Sequence, residues 1–259
     1  MLAPGNTLIS GTSESHIKVY QILAARQPPR LKYTINNAHK SDVRSLSLHN
    51  NLLASIGGDG SAFIFKLDTD SYEKVWSLRK VFGFDNSVDE TKYKFQACKF
   101  FEKSERCLLV TASSPVLSRT TDPSYLSLWS FDQNGKEKFR HISSRALDRE
   151  IAATKISTRC IDTRVNKSGN AIVSIGLASG GIMVYSVPDL EPIFQYTPAD
   201  LKKALFLTKV CLVGQNVVST DAENVLRMHK LEMNYSNFGN LKYYWGNYKY
   251  ILLRIITLP

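Results

Sequence analysis

A chain of 259 residues, 43% of them hydrophobic, is long enough to bury the core of one all-β domain. Its 33 Lys and Arg against 23 Asp and Glu give a net charge of +10, a balance suited to nucleic acid, an anionic membrane or an acidic protein surface. The charges are dispersed, with no run of basic residues interleaved with aromatics of the kind single-stranded nucleic acid prefers. The four cysteines, Cys98, Cys107, Cys160 and Cys211, stand far apart without a CxxC pair, which fits a reducing compartment better than a disulfide framework. Met1–Thr7 has neither the basic start nor the apolar core of a secretory leader, so none is expected.

In chain order, one hairpin pattern recurs. It opens at Thr7–Ile22 (TLISGTSESHIKVYQI), with its turn at Ser13–Ser15, and is written most clearly at Asn51–Leu67 (NLLASIGGDGSAFIFKL). There Gly57-Gly58-Asp59-Gly60 joins two β-prone runs, and a tight primed turn is expected because Gly and Asp tolerate positive φ. A third copy is Cys107–Ser113 with Ser124–Phe131, separated by an insert over Ser114–Pro123. A fourth is Ala171–Val187 and a fifth Asn216–Leu231. Leading strands are expected at Asp42–Leu48, Tyr93–Phe101, Thr158–Val165 and Leu205–Val213, and outer strands at Tyr72–Val81, Lys136–Ile142 and Pro192–Tyr196. Arg145–Lys155 reads as a short helix or a loop.

One position marks the outgoing strand of every copy: Tyr20, Phe65, Trp129, Tyr185 and His229, at spacings of 45, 64, 56 and 44 residues. A period of roughly 40–45 residues with four short strands per unit is the pattern of a WD-repeat β-propeller. The longer spacings are taken up by inserts, at Asp85–Lys92 and Ser114–Pro123 in the third unit and Arg145–Ile156 in the fourth. The first copy begins without leading strands. The propeller is expected over residues 1–232, either as a five-bladed ring or as part of a longer one. Residues 233–259 break the pattern: Tyr243, Tyr244, Trp245, Tyr248 and Tyr250 precede an apolar run, Ile251–Leu258, interrupted by Arg254. A membrane-spanning helix needs about 20 apolar residues, so this tail reads as the remnant of an anchor, an edge strand or loop on the propeller, or disorder.

WD-repeat blades often hold a turn with a His that bonds a Ser or Thr, which in turn bonds an Asp or Trp. His39, Ser55 and Asp59 suit three of those roles, Gly57 serves the turn, and Phe65 stands where Trp would. Metal binding or proton transfer by His39 has little support, since no carboxylate or Cys surrounds it at ligand spacing. The chain lacks a GxxxxGK[ST] phosphate loop, a strand-borne GxGxxG, a GxSxG elbow and HExxH. No catalytic, cofactor or metal residue is assigned, and a binding platform is favoured over a bond-making enzyme.

Several stretches together resemble one WD-repeat family. Tyr93–Phe100, YKFQACKF, looks like that family's YRYQACRF strand. It is followed at the matching distance by Val110–Ser113, an insert around Arg119 and Pro123, and SYLSLWSF at Ser124–Phe131. TLISGTSESHIKVYQI, AHKSDVRSLSLHNNLLASIGGDGSAFIF and ISTRCIDTRVNKSGNAIVSIGLASGGIMVYSV resemble further blades in the same order. The family is that of the prolactin regulatory element-binding protein and its yeast counterpart, the endoplasmic-reticulum exchange factors for the Sar GTPase that starts COPII coat assembly. The resemblance covers Asn6 to about Leu231.

It implies a propeller of about seven blades, within the known range, facing the cytosol and tethered to the endoplasmic-reticulum membrane by a C-terminal helix. It implies partnership with a Sar-type GTPase and the COPII machinery, and nucleotide release by differential binding without covalent chemistry. The family has about two more blades before the position of Asn6, and their Gly-rich potassium-binding loop has no counterpart among these residues. A non-exchanging scaffold is the alternative. DNA binding, suggested by the family's name, is disfavoured by the dispersed charge.

Overall fold

Alternation of apolar and small polar residues over short runs, punctuated by Gly, Asn and Asp, dictates strand after strand. The computed structural model describes residues 2–3, 7–23, 27–78, 81–83, 86–88, 92–103, 106–116, 122–132, 138–147, 158–165, 171–198, 205–231, 234–235, 241–242 and 253–254. It divides into two units, Met1–Leu147 and Asp148–Pro259.

The first unit holds three antiparallel four-stranded sheets. They are β1 (Leu2–Ala3), β2 (Thr7–Gly11), β3 (Ile17–Gln21) and β4 (Arg30–Ile35); then β5 (Val43–His49), β6 (Leu52–Gly57), β7 (Ala62–Leu67) and β8 (Tyr72–Leu78); and, after a short pair β9 (Val81–Gly83) and β10 (Asn86–Val88), β11 (Tyr93–Lys103), β12 (Arg106–Pro115), β13 (Tyr125–Asp132) and β14 (Lys138–Ala146). The second unit holds two more. The fourth sheet is β15 (Thr158–Val165), β16 (Ala171–Leu177), β17 (Ile182–Val187) and β18 (Pro192–Tyr196). The fifth is β19 (Leu207–Val213), β20 (Asn216–Asp221) and β21 (Val225–Lys230), after which the chain forms a small pair, β22 (Asn234–Tyr235) and β23 (Leu241–Lys242), before β24 (Leu253–Arg254) takes the fourth place beside β21.

Several expectations change. The first sheet has a leading strand, the two-residue β1, and an outer strand, β4, whose Leu31, Tyr33 and Ile35 alternate with polar residues. Arg145 and Ala146 belong to β14 rather than to a helix or a loop, and 148–157 lie outside the described residues. Within the insert Asp85–Lys92 lies β10, paired with β9 just before it. Of the apolar tail, Leu253–Arg254 is a strand paired with Leu226 and Val225. Among the described residues no helix is long and apolar enough to cross a membrane.

The hairpin turn is not a two-residue primed turn. Gly57 N–H donates to Ser61 O and Gly60 N–H to Gly57 O, and Gly60 alone is left-handed, at φ +81°. This is a three-residue loop closed by a left-handed bulge residue. Leu177–Gly181 repeats it with Gly180 at +78°, and the same place is filled by Ser15 at +68° and Asn224 at +60°. One left-handed position suffices, so Asp59 need not adopt positive φ.

Two bulges recur as well. Along the first strand of four sheets one extra polar residue interrupts the ladder: Arg44 in β5, Gln96 in β11, Arg159 in β15 and Thr208 in β19. In four sheets the pairing with the outer strand shifts immediately before Tyr20, Phe65, Trp129 and Tyr185. Bulges raise the local twist.

Within the first unit the second sheet is covered on both faces. Leu53 and Phe65 pack with Ile9, Ile17, Val19 and Ile35 of the first sheet, while Leu52, Ala54, Ile56 and Ile64 pack with Phe95, Phe100, Leu109 and Trp129 of the third. Each fully buried large apolar side chain contributes about 1.5–3 kcal/mol. Polar groups fix the register between sheets: Ser45 Oγ accepts from Cys98 N–H at 3.2 Å and Ser47 Oγ from Phe100 N–H at 2.7 Å. Turns dock on the next sheet's first strand, Thr12 O accepting from Val43 N–H and Gly60 O from Phe95 N–H, each at 3.0 Å. In the second unit Ile172, Ile182 and Val184 pack with Val210, Leu212 and Val217.

A Cβ at Gly60 would lie 2.3 Å from Lys94 Cβ, whereas one at Gly214, also left-handed at φ +62°, would meet nothing within 4 Å. Gly60→Ala is therefore expected to lose about 2–4 kcal/mol in denaturant unfolding, and Gly214→Ala about 1–2 kcal/mol. Equal losses would show that the approach of β11 imposes nothing at Gly60.

Candidate functional site

The loop before β5 carries His39 inward because Ala38, itself buried, is tied by its N–H to Ser15 O at 3.0 Å. His39 Nε2 lies 2.7 Å from Ser55 Oγ on β6, and Nδ1 lies 2.8 Å from Ser61 Oγ, the residue just before β7. Ser61 Oγ donates to Asp59 Oδ1 at 2.7 Å. Because the Ser61 proton is committed to the carboxylate, Ser61 accepts from His39 Nδ1–H, and Nε2 is left to accept from the Ser55 hydroxyl. The result is a one-way chain, Ser55 to His39 to Ser61 to Asp59. Asp59 also accepts the N–H groups of Ser61 and Lys40, each at 3.0 Å. Gly57 is required by space: a Cβ there would lie 2.6 Å from the His39 ring and 2.5 Å from Asp59 Oδ1.

The electrostatics follow. Burial pushes His39 below the ordinary histidine value; Asp59 opposes this and Lys74 adds to it. Burial pushes the Asp59 carboxyl up, but the hydrogen bonds from Ser61 and Lys40 and the nearby His39 outweigh it, leaving the carboxyl below its usual range. Phe63 stacks on His39 at 5.1 Å, and Lys74 Nζ sits 3.8 Å above the Phe63 ring.

The structure thus brings His39, Ser55, Gly57 and Asp59 together, with two differences from expectation. Ser55 does not link His39 to Asp59; Ser61 does, and the direct His39–Asp59 separation is 3.8 Å. The Asp59-Gly60-Ser61 sequence, a carboxylate capping the N–H two residues on, is a readable signal for that role. Phe65 lies opposite Leu53, as Trp129 lies opposite Leu109, but it has no N–H to give. Trp129 Nε1 does donate, to Thr111 Oγ1 at 2.9 Å. The His39 and Ser55 side chains are fully buried, so this His–Ser pair meets no substrate and acts as a clamp on the turn.

Two of the bulged residues reach polar partners. Arg44, nearly half exposed, pairs with Asp42 at 3.0 Å, and Gln96 donates to Ser114 Oγ at 2.8 Å. Neither was singled out from the sequence, although a lone polar residue inside an apolar first strand marks both. In the fifth sheet Asp221 is buried and accepts from Glu223 N–H and Val225 N–H, and pairs with Arg227. Burial raises its carboxyl, but these bonds outweigh it and hold it below the usual range. His229 lies against Tyr196 at 4.4 Å, and burial first, then Arg227, pushes its pKa down to about 4. Among the described residues no group of three or more His, Cys, Asp or Glu could hold a metal ion.

No protein-family model and no curated protein matches the sequence. The structure is similar to the Cps50 (Swd1) β-propeller domain of Myceliophteria thermophila, at 13% identity and TM-score 0.58 over 90% of this chain and 64% of that one. It is similar to the WD40 repeats of RRP9, at 15% identity and TM-score 0.55 over 89% and 60%, and to U3-55K, at 15% and 0.56 over 89% and 61%. The chain therefore spans less than two thirds of each of these structures. The fold is all-β, of the WD40 β-propeller type, with five four-stranded sheets among the described residues.

Two predictions test the polar chain and the buried histidine. Ser61→Ala and Asp59→Ala should each cost about 1–3 kcal/mol, and because they cut one chain, the double variant should lose clearly less than the two losses added. Additive losses in urea unfolding would separate the two residues. His229, its pKa lowered in the fold, contributes stability fully above the ordinary value of 6.5 and loses it as pH falls from there toward about 4. His229→Phe, which keeps a ring against Tyr196, should flatten the melting temperature of the chain over that interval; an unchanged pH slope would discount His229.

Proposed function

We propose that this chain is a non-covalent protein-binding platform and, more specifically, an exchange factor, or part of one, for a Sar-type GTPase at the endoplasmic reticulum. The observation that carries the reading is the order and spacing of the family-like stretches. YKFQACKF falls on β11, SYLSLWSF leads into β13, and TLISGTSESHIKVYQI forms β2 and β3 with their turn. Nucleotide release fits residues whose polar chains clamp turns: a platform that holds the empty GTPase more tightly than the loaded one accelerates release without making a bond. The net charge of +10 adds attraction toward an anionic cytosolic leaflet. On this reading the chain works on the cytosolic face of the membrane, delivers GTP-loaded Sar to the COPII machinery and needs no bound cofactor. The family's potassium loop has no matching residues here.

The test is release of mant-GDP from a Sar GTPase in potassium buffer, with and without the 259-residue chain. Accelerated release is expected. Binding without acceleration would leave a scaffold, and neither binding nor acceleration would overturn the Sar assignment.

A further inference from the structure

The turn from Asp68 to Ser71 and the first three residues of β8 form a run, 68–74, in which every residue is exposed. It reads DTDSYEK and contains Asp68, Asp70 and Glu73 around Tyr72. We propose that Tyr72 is a site of phosphorylation by a tyrosine kinase that selects acidic substrates.

Three observations support this assignment. First, Tyr72 is 40% exposed and is the only exposed tyrosine among those whose side chains are described. Second, its hydroxyl has no hydrogen-bond partner among the described residues. Its neighbour Tyr33 is tethered instead, donating its hydroxyl proton to Asp68 O at 3.3 Å, and Tyr185 is buried with its hydroxyl on Met183 Sδ. Third, β8 is the outer strand of its sheet. A kinase cleft takes its peptide in extended form, and an outer strand presents an extended segment with one edge open. Carboxylates flanking the target complement a basic cleft, and this charge match is how such enzymes choose among tyrosines.

The chemistry is simple phosphoryl transfer. Tyr72 Oη attacks the γ-phosphorus of ATP supplied by the kinase, the bond to the β,γ-bridging oxygen breaks, and ADP leaves with that electron pair. The phenolic proton passes to the kinase's base. The Tyr72 ring packs 6.1 Å from Tyr33 and 6.2 Å from Phe65, contacts that it gives up to enter the kinase cleft. Lys32 Nζ, held 2.7 Å from Thr69 O, and Lys74, on the same face of β8 as Tyr72, are cations of the same segment. The modified rim between the first and second sheets becomes a charged landmark that a partner can read.

The experiment incubates the folded full chain with ATP and an acid-directed tyrosine kinase catalytic domain and follows tryptic peptides by mass spectrometry. Cleavage after Lys66 and Lys74 isolates LDTDSYEK, whose single tyrosine is Tyr72. Phosphate should appear on this peptide before any other, vanish in Tyr72→Phe, and appear severalfold more slowly in the combined D68N, D70N and E73Q variant. Tyr72→Phe keeps the ring contacts and should melt with the parent chain, so loss of labelling would not reflect unfolding. Three results would overturn the assignment: prior labelling of other tyrosines, an undiminished rate in the charge-neutral variant, or labelling of the isolated 67–74 peptide but not of the folded chain.

Discussion

The architecture depends on strands buried on both faces. No residue of β6 or β16 is exposed, and Cys107 to Ser114 of β12 are buried without a break. A sheet with one wet face alternates polar and apolar side chains; a sheet sandwiched between neighbours cannot. A hydroxyl on such a strand has only protein neighbours to bond, and some find one while Ser174 of β16 does not among the described residues. Ser55 is held by His39, and Thr111 accepts from Trp129. Ser219 occupies the corresponding place in the fifth sheet, opposite Arg227, and its hydroxyl finds no partner among the described residues. The hydrogen bonds around Ser55 and Thr111 are therefore answers to burial.

Hydrogen bonds also place successive sheets. Gly60 serves its own hairpin through its left-handed φ and serves the third sheet through its carbonyl, which takes the Phe95 N–H. Ser45 and Ser47 satisfy the amides of Cys98 and Phe100 across the seam. A seam held by hydrogen bonds to backbone specifies one register of strand against strand, which apolar packing alone would not.

The repeat was legible because the inner hairpins are strongly apolar and their turns are rich in Gly and Asp. The landmark residues Phe65, Trp129, Tyr185 and His229 fall opposite Leu53, Leu109, Val173 and Val217, so the spacing argument located real equivalents. β4 was not legible in the same way. Of its apolar positions Leu31 is exposed and Tyr33 only half-buried, so Ile35 alone carried a core signal. Ser61 escaped notice because the expected chain ran from His39 through Ser55, and only geometry shows that the Asp59 carboxylate reaches the ring through the residue two positions on. The turn type was misjudged because Asp-Gly is compatible with both a two-residue and a three-residue loop, and only the hydrogen-bond pattern separates them. The bulges at Arg44 and Gln96 left a polar residue within an apolar run, a mark that becomes meaningful once the ladder is known.

The bulge before each landmark residue has a mechanical consequence. The outer strand carries the extra residue in four sheets: Lys32, Val75, Ile142 and Ile193 each stand without an opposite number. The three inner strands keep continuous registers across the landmark, while the fourth is spliced on. In these four sheets the outer strand is thus a hem joined to a continuous triple. The exposed ends of β4 and β8, residues 30–31 and 72–74, have few buried contacts to break, so their amide hydrogens belong to the fast end of the exchange hierarchy and those of β6 and β12 to the slow end. A rim of this kind tolerates insertion, modification and drift in sequence at low cost, while the inner strands hold their alignment.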